Sequence, residues 1–240
     1  METWKLLLLF IAAFGGGLAI FFVKSDKSNL LKLVLSFSGA YLFSITVLHL
    51  IPSAYKGAEG ASIGLYILFG FMLQVFLEQF SEGVEHGHIH KHGEKNVFPV
   101  GIMFSLCLHA FLEGMPLAND PHNELIYGIS IHHIPASFAL ASILMQNNFN
   151  SSKIMICVAV FAVMAPFGYF ISSGINEGSI LGLEAHFNKM MGVVIGIFLH
   201  ISTTILFESS AGHKINKKKM IAVLLGMGIA IAGFLFSHQH

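Results

Sequence analysis

The sequence predicts an all-α integral membrane protein of eight transmembrane helices with no separate soluble domain. Three observations carry this. Of 240 residues, 55% are hydrophobic and 11% charged, with mean hydropathy +0.73. A soluble domain of this length is about one quarter charged, so too few charges remain here to cover a water-facing surface. Apolar runs of roughly the 20 residues needed to cross a bilayer recur eight times. The breaks between them carry polar turn chemistry, as in Ser25-Asp26-Lys27-Ser28-Asn29, Asn119-Asp120-Pro121-His122-Asn123 and Asn147-Asn148-Phe149-Asn150-Ser151-Ser152.

The first span covers about 4–23. The residues before it lack the basic n-region and A-x-A-like site of a cleaved signal, so it reads as a retained helix. The others cover about 30–53, 62–80, 97–119, 124–146, 152–174, 187–208 and 217–237. Gly15-Gly16-Gly17 in the first span, and Gly192 and Gly196 in the seventh, read as points of close helix packing. Residues 1–240 thus form a single transmembrane domain, with one longer polar loop at 81–96 between the third and fourth spans.

Lysine placement sets the expected orientation. With the N-terminus outside, the inner loops and span ends hold Lys24, Lys27, Lys32, Lys91, Lys95, Lys153, Lys214, Lys217, Lys218 and Lys219. The outer side holds only Lys5, Lys56 and Lys189. This satisfies the positive-inside bias. Eight spans then return the C-terminus to the outside, in a plasma (inner) membrane. Net charge is zero, so no field argues for nucleic acid. There is no arginine, which counts against a phosphorylated or organic-anion substrate. Cys107 and Cys157 lie inside apolar spans and read as small buried hydrophobes.

The 14 histidines are the anomaly. An ionisable group costs several kcal/mol inside a bilayer, so each one there marks a candidate functional position. Those within the spans are His49, Glu78, His109, Glu113, His132, His133, His200 and Glu208. Four of them cluster. His109 and Glu113 are four apart and stack on one face of the fourth helix. His132 and His133 are on the fifth, which a short outer loop should make an adjacent, antiparallel neighbour. Glu113 and His132 lie about 9 and 12 Å below the outer ends of their spans, at ~1.5 Å per residue. Two or three imidazoles and a carboxylate at one depth form a first shell for a borderline divalent cation. Interhelical hydrogen bonding is the competing explanation. His133 points about 100° away from His132; ligand, supporting residue and proton carrier all stay open for it. Pro116 and Pro135 follow the two polar clusters and predict broken helices, a recurring device of transporters.

These residues carry a resemblance to the ZIP (zinc- and iron-regulated) transporter family. His109 and Glu113-Gly114 resemble its H-[NS]-x-x-[DE]-G element, and His132-His133-Ile134-Pro135-Ala136 resembles H-E-x-P-[HE]. The second span, from Ser38-Gly39 to His49-Leu50-Ile51-Pro52-Ser53-Ala54, resembles the family's glycine start and H-L-x-P-x-A finish. Phe76-Leu77-Glu78, Pro166-Phe167-Gly168 and Leu206-Phe207-Glu208 resemble further elements in order. The resemblance covers essentially the whole chain. It implies a 3+2+3 helix bundle, alternating access and inward transport of a divalent cation. Zn²⁺ is the expected cargo, with Fe²⁺ or another divalent ion as alternatives, and no catalytic cofactor is implied.

The departures shape the expected site. Ala110 stands where the family has Asn or Ser, Ala136 where it has His or an acid, and His133 where it has an acid. The sixth span has no carboxylate. One ion bound by His109, Glu113 and His132, with His133 open as a fourth ligand, is therefore expected. Replacing carboxylate by imidazole favours Zn²⁺ over Mn²⁺.

Outside this cluster, His86, His88, His90 and His92 alternate in the inner loop beside Glu82, Glu85 and Glu94, a pattern suited to weak metal capture. An entrance and exit path is expected along His49, Asp120 and His122, with Glu124, on the outer side, and Glu78, His200 and Glu208 on the inner side. Membrane lipid and a homodimer complete the expected partners. A zinc-dependent intramembrane hydrolase is the alternative from another class, although no H-E-x-x-H occurs. A metal exporter or sensor is the third.

Overall fold

A computed structural model describes residues 3–22, 28–56, 60–81, 83–84, 98–119, 123–176, 186–208 and 217–237. Helix α1 (Thr3–Leu18) ends in a 3₁₀ turn at Ala19–Phe21. Helix α2 (Ser28–Ile45) passes through a π turn (Thr46–Leu50) and resumes as α3 (Ile51–Tyr55), completing the second span. The third to eighth spans are α4 (Gly60–Ser81), α5 (Val100–Gly114) with a 3₁₀ turn at Met115–Asn119, α6 (Glu124–Gln146), α7 (Ser151–Asn176), α8 (Phe187–Glu208) and α9 (Lys217–Ser237). Eight spans are long and apolar enough to cross a membrane. Every described element is helical, as backbone in hydrocarbon requires.

Two prolines, Pro116 and Pro52, coincide with breaks in regular winding. An unbroken α-helix would need the Pro116 N–H to reach the carbonyl of Leu112; proline has none. The Met115 N–H takes that carbonyl instead, one residue early, and the helix tightens to 3₁₀. Pro52 likewise cannot serve the carbonyl of Leu48. Just before it the chain widens into the π turn, closed by the Ile51 N–H on Thr46. Pro135 behaves differently from expectation: α6 stays a continuous α-helix through it. Pro135 itself is buried. At the other end of α6, Asn148 adopts φ 61°, and Asn147, Asn148 and Phe149 bond back to Ile143, Met145 and Leu144. Asn150 Oδ1 then accepts the Lys153 N–H at 2.9 Å and caps α7. The Asn-rich break is thus a helix stop and start in four residues.

The helices pack in two groups. In one, α1 lies on α6 and α7, and α5 on α7; in the other, α2 lies on α8 and α9, and α4 on α8. Contacts of α2 with α6 and of α4 with α5 join the groups. Exchanging α1 with α7, α2 with α8, α4 with α9 and α5 with α6 maps the α4–α8 pair onto α9–α2 and the α1–α6 pair onto α7–α5. The first three and last three spans thus repeat around a central α5–α6 pair, the 3+2+3 order, with the repeated-unit logic of transporters.

The central pair meets mainly through side chains. A methyl group at Gly114 would collide with the carbonyl of Ala165, and one at Gly168 with the carbonyl of Phe111, so α5 approaches α7 most closely. Small residues, not loop length, choose the neighbour. Gly16, Gly17, Gly192 and Gly196 serve such contacts, but Gly15 faces open space. Helix α6 is enclosed along most of its length, and α9 is mostly peripheral.

Candidate metal site

The 3₁₀ turn above Gly114 leaves the last α-helical turns of α5 regular, so His109 and Glu113 keep their one-face stacking. Both are fully buried. His109 Nε2 lies 3.4 Å from Glu113 Oε1, and His132 Nε2, from α6, lies 3.9 Å from the same oxygen. The two imidazole centroids are 5.8 Å apart. One ligand atom from each of the three residues lies within 4.8 Å of the others. Helices α5 and α6 therefore meet through side chains rather than backbones.

The electrostatics of this group are unusual for a finished core. Among the described residues, His109 Nε2, His132 Nε2 and Glu113 Oε1 are buried without a hydrogen-bond partner, as are both Nδ1 atoms. An unsatisfied buried polar group costs about 1–3 kcal/mol, more when charged. Several such atoms facing one another make sense when a cation completes them. Tetrahedral zinc at 2.0–2.1 Å from its ligands spaces those ligands by about 3.3 Å. The observed separations need only a modest contraction to reach it.

His133 sits apart from this trio. Its Nε2 is 2.7 Å from Glu113 Oε2, and its ring lies 5.5 Å from that of Phe161 on α7. Sequence patterning carried no signal for Phe161. Ala110 and Ala136 are buried in the same apolar cluster and bring no donor to the site.

The path residues fall in two pairs. On the expected outer side, His49 Nε2 lies 2.9 Å from Glu124 Oε2, bridging the π turn of the second span and α6. Tyr41 donates to the Glu124 carbonyl at 3.0 Å, and Phe234 of α9 meets His49 edge-on at 5.1 Å. On the expected inner side, His200 Nε2 lies 3.4 Å from Glu78 Oε2, bridging α8 and α4, with Phe71 edge-on at 4.9 Å. Both pairings join residues far apart in the chain, so the sequence marked the residues but not their partners. Asp120, His122, the loop residues His86, His88, His90 and His92, and the side chain of Glu208 lie outside the described residues.

Three comparisons bear on this arrangement. The family model described as ZIP Zinc transporter matches residues 91–232, which include the whole trio. The zinc transporter YKE4 of Saccharomyces cerevisiae is 24% identical over 258 aligned positions, covering 90% of this chain and 74% of that protein. The zinc transporter ZIP1 of Danio rerio is 24% identical over 156 positions, covering 61% of this chain and half of that protein's length.

Proposed function

The chain belongs to the ZIP zinc transporter family, a family of multi-pass divalent-metal transporters, and on that premise we propose that it carries Zn²⁺ into the cytoplasm through a site formed by His109, Glu113 and His132. The observation that supports this most is the convergence of three partnerless, fully buried ligand atoms from two helices. Two imidazoles, one carboxylate oxygen and an open fourth position suit tetrahedral zinc and suit oxygen-loving octahedral ions less. With Ala110 and Ala136 as neighbours, and no carboxylate on α7, one ion is bound at a time. Fe²⁺ is a second cargo, carried less well.

Access alternates as one helix group shifts against the other. The His49–Glu124 pair spans the two groups on the outer side and parts when that side opens. Glu78, His200 and Glu208 line the inner route. The lysine distribution places both termini outside, in the plasma membrane. The 81–96 loop then lies in the cytoplasm, where His86, His88, His90 and His92 capture released metal weakly.

The test is metal uptake by the full-length protein in proteoliposomes, wild type beside His109→Ala and Glu113→Ala. Zn²⁺ influx that disappears in both variants supports the reading. Undiminished flux in both overturns the site. Metal-dependent cleavage without flux would select an intramembrane hydrolase instead.

A further inference from the structure

We infer that His133 is a positioning residue that holds the Glu113 carboxylate to a single coordinating oxygen and is not itself a metal ligand. The inference rests on the three-residue site above and adds what sets that site's denticity and selectivity.

The geometry divides Glu113 in two. Its Oε1 faces His109 Nε2 at 3.4 Å and His132 Nε2 at 3.9 Å. Its Oε2 faces His133 Nε2 at 2.7 Å. A carboxylate only accepts, so His133 presents its Nε2 proton to Oε2. A ring nitrogen that carries a proton has no lone pair for a metal. The trio's facing atoms have no hydrogen-bond partner among the described residues, whereas His133 Nε2 and Glu113 Oε2 satisfy each other. At 2.7 Å the contact has the length of a charge-assisted hydrogen bond.

The surroundings keep His133 in that role. The ring is buried and packed on Phe161 at 5.5 Å. The His132 ring lies 6.3 Å from the His133 ring. Turning toward the trio would break its bond to Oε2 and strand that oxygen, at about 1–3 kcal/mol or more for a charged group. With Oε2 held, Glu113 offers the ion one oxygen. The site stays at two nitrogens and one oxygen, which favours zinc. Without the hold, the carboxylate can chelate through both oxygens or swing away, which narrows the advantage of zinc over manganese.

The experiment compares wild type, His133→Gln, His133→Leu and His132→Gln in full-length protein. It reads Zn²⁺ and Mn²⁺ uptake and the zinc K-edge X-ray absorption spectrum of the loaded protein. Gln can still donate to Oε2 from its amide, whereas Leu cannot. Expected are two imidazoles on zinc in wild type and in His133→Gln, and a Zn²⁺ KM close to wild type in His133→Gln. For His133→Leu a KM raised about 10–100-fold is expected, the usual cost of losing such a support, with a lower Zn²⁺-to-Mn²⁺ ratio. His132→Gln should keep one imidazole. Three imidazoles in wild type, falling to two in His133→Gln, would overturn the inference, as would His133→Gln and His132→Gln raising KM equally. If His132→Gln leaves the imidazole count and KM unchanged, it is the three-residue site that fails. The spectrum of wild type and His133→Gln decides the matter even if His133→Leu does not fold.

Discussion

Among the described residues histidine and glutamate meet at a central group and at two flanking pairs, and the contrast between them is instructive. At the centre, two imidazoles approach one carboxylate oxygen at 3.4 and 3.9 Å, and all three residues are wholly buried. Toward one end, His49 and Glu124 sit 2.9 Å apart with side chains 15% and 16% exposed. Toward the other, His200 and Glu78 sit 3.4 Å apart at 8% and 23%. The chemistry of the partners is the same. What differs is number and enclosure. A flanking imidazole has a carboxylate to itself, whereas at the centre two imidazoles face one carboxylate oxygen, and a cation would complete all three. Under the proposed function the centre is the binding site and the flanks form a route.

Substitutions can break or sharpen this contrast. The largest effect is expected at Glu113, whose carboxylate is the only anionic group in the trio. Glu113→Ala should lower Zn²⁺ uptake by more than about 100-fold, beyond the 10–100-fold typical of groups that merely support a ligand. Proteoliposome flux measures it, and a loss no greater than that of His49→Ala would erase the distinction between centre and flank. Next comes Gly114→Val, which forces α5 off the carbonyl of Ala165. Overpacking costs roughly 1–3 kcal/mol, readable as a lowered unfolding temperature in detergent, and it should displace His109 and Glu113 together. At the outer flank, His49→Ala should raise the KM for Zn²⁺ by up to roughly tenfold, the low end of what losing a group that supports a ligand costs. Vmax should change little, and a collapse of Vmax would make His49 part of the binding centre. The smallest effect is expected from deleting residues 86–92, which should shift apparent affinity or regulation a few-fold while transport persists; loss of flux would refute a peripheral role for those histidines.

Much of this was legible in the chain. Eight apolar runs with polar breaks gave the spans, because a bilayer imposes one length and one composition on every helix that crosses it. The four-residue spacing of His109 and Glu113 survives because it is a property of a single helix. Helix pairing was less legible. The short loop suggested that α5 and α6 are neighbours, but not that Gly114 and Gly168 bring α5 closest to α7, because small residues report a close approach without naming the partner. Pro116 gave a change of winding and Pro135 did not, although both lack the same N–H. Local sequence does not separate the two outcomes.

By itself, then, the sequence determined the class, the number of spans, the residues that would be costly in lipid, and the shared face of His109 and Glu113. All of these follow from composition and from the period of one helix. The tertiary structure decided which imidazoles share Glu113 Oε1 and which takes Oε2, and that His49 meets Glu124 and His200 meets Glu78. Those contacts join different helices, and the distance between two side chains on different helices depends on how the helices cross. That crossing is set by the summed fit of small and large residues along whole surfaces, which no local spacing encodes.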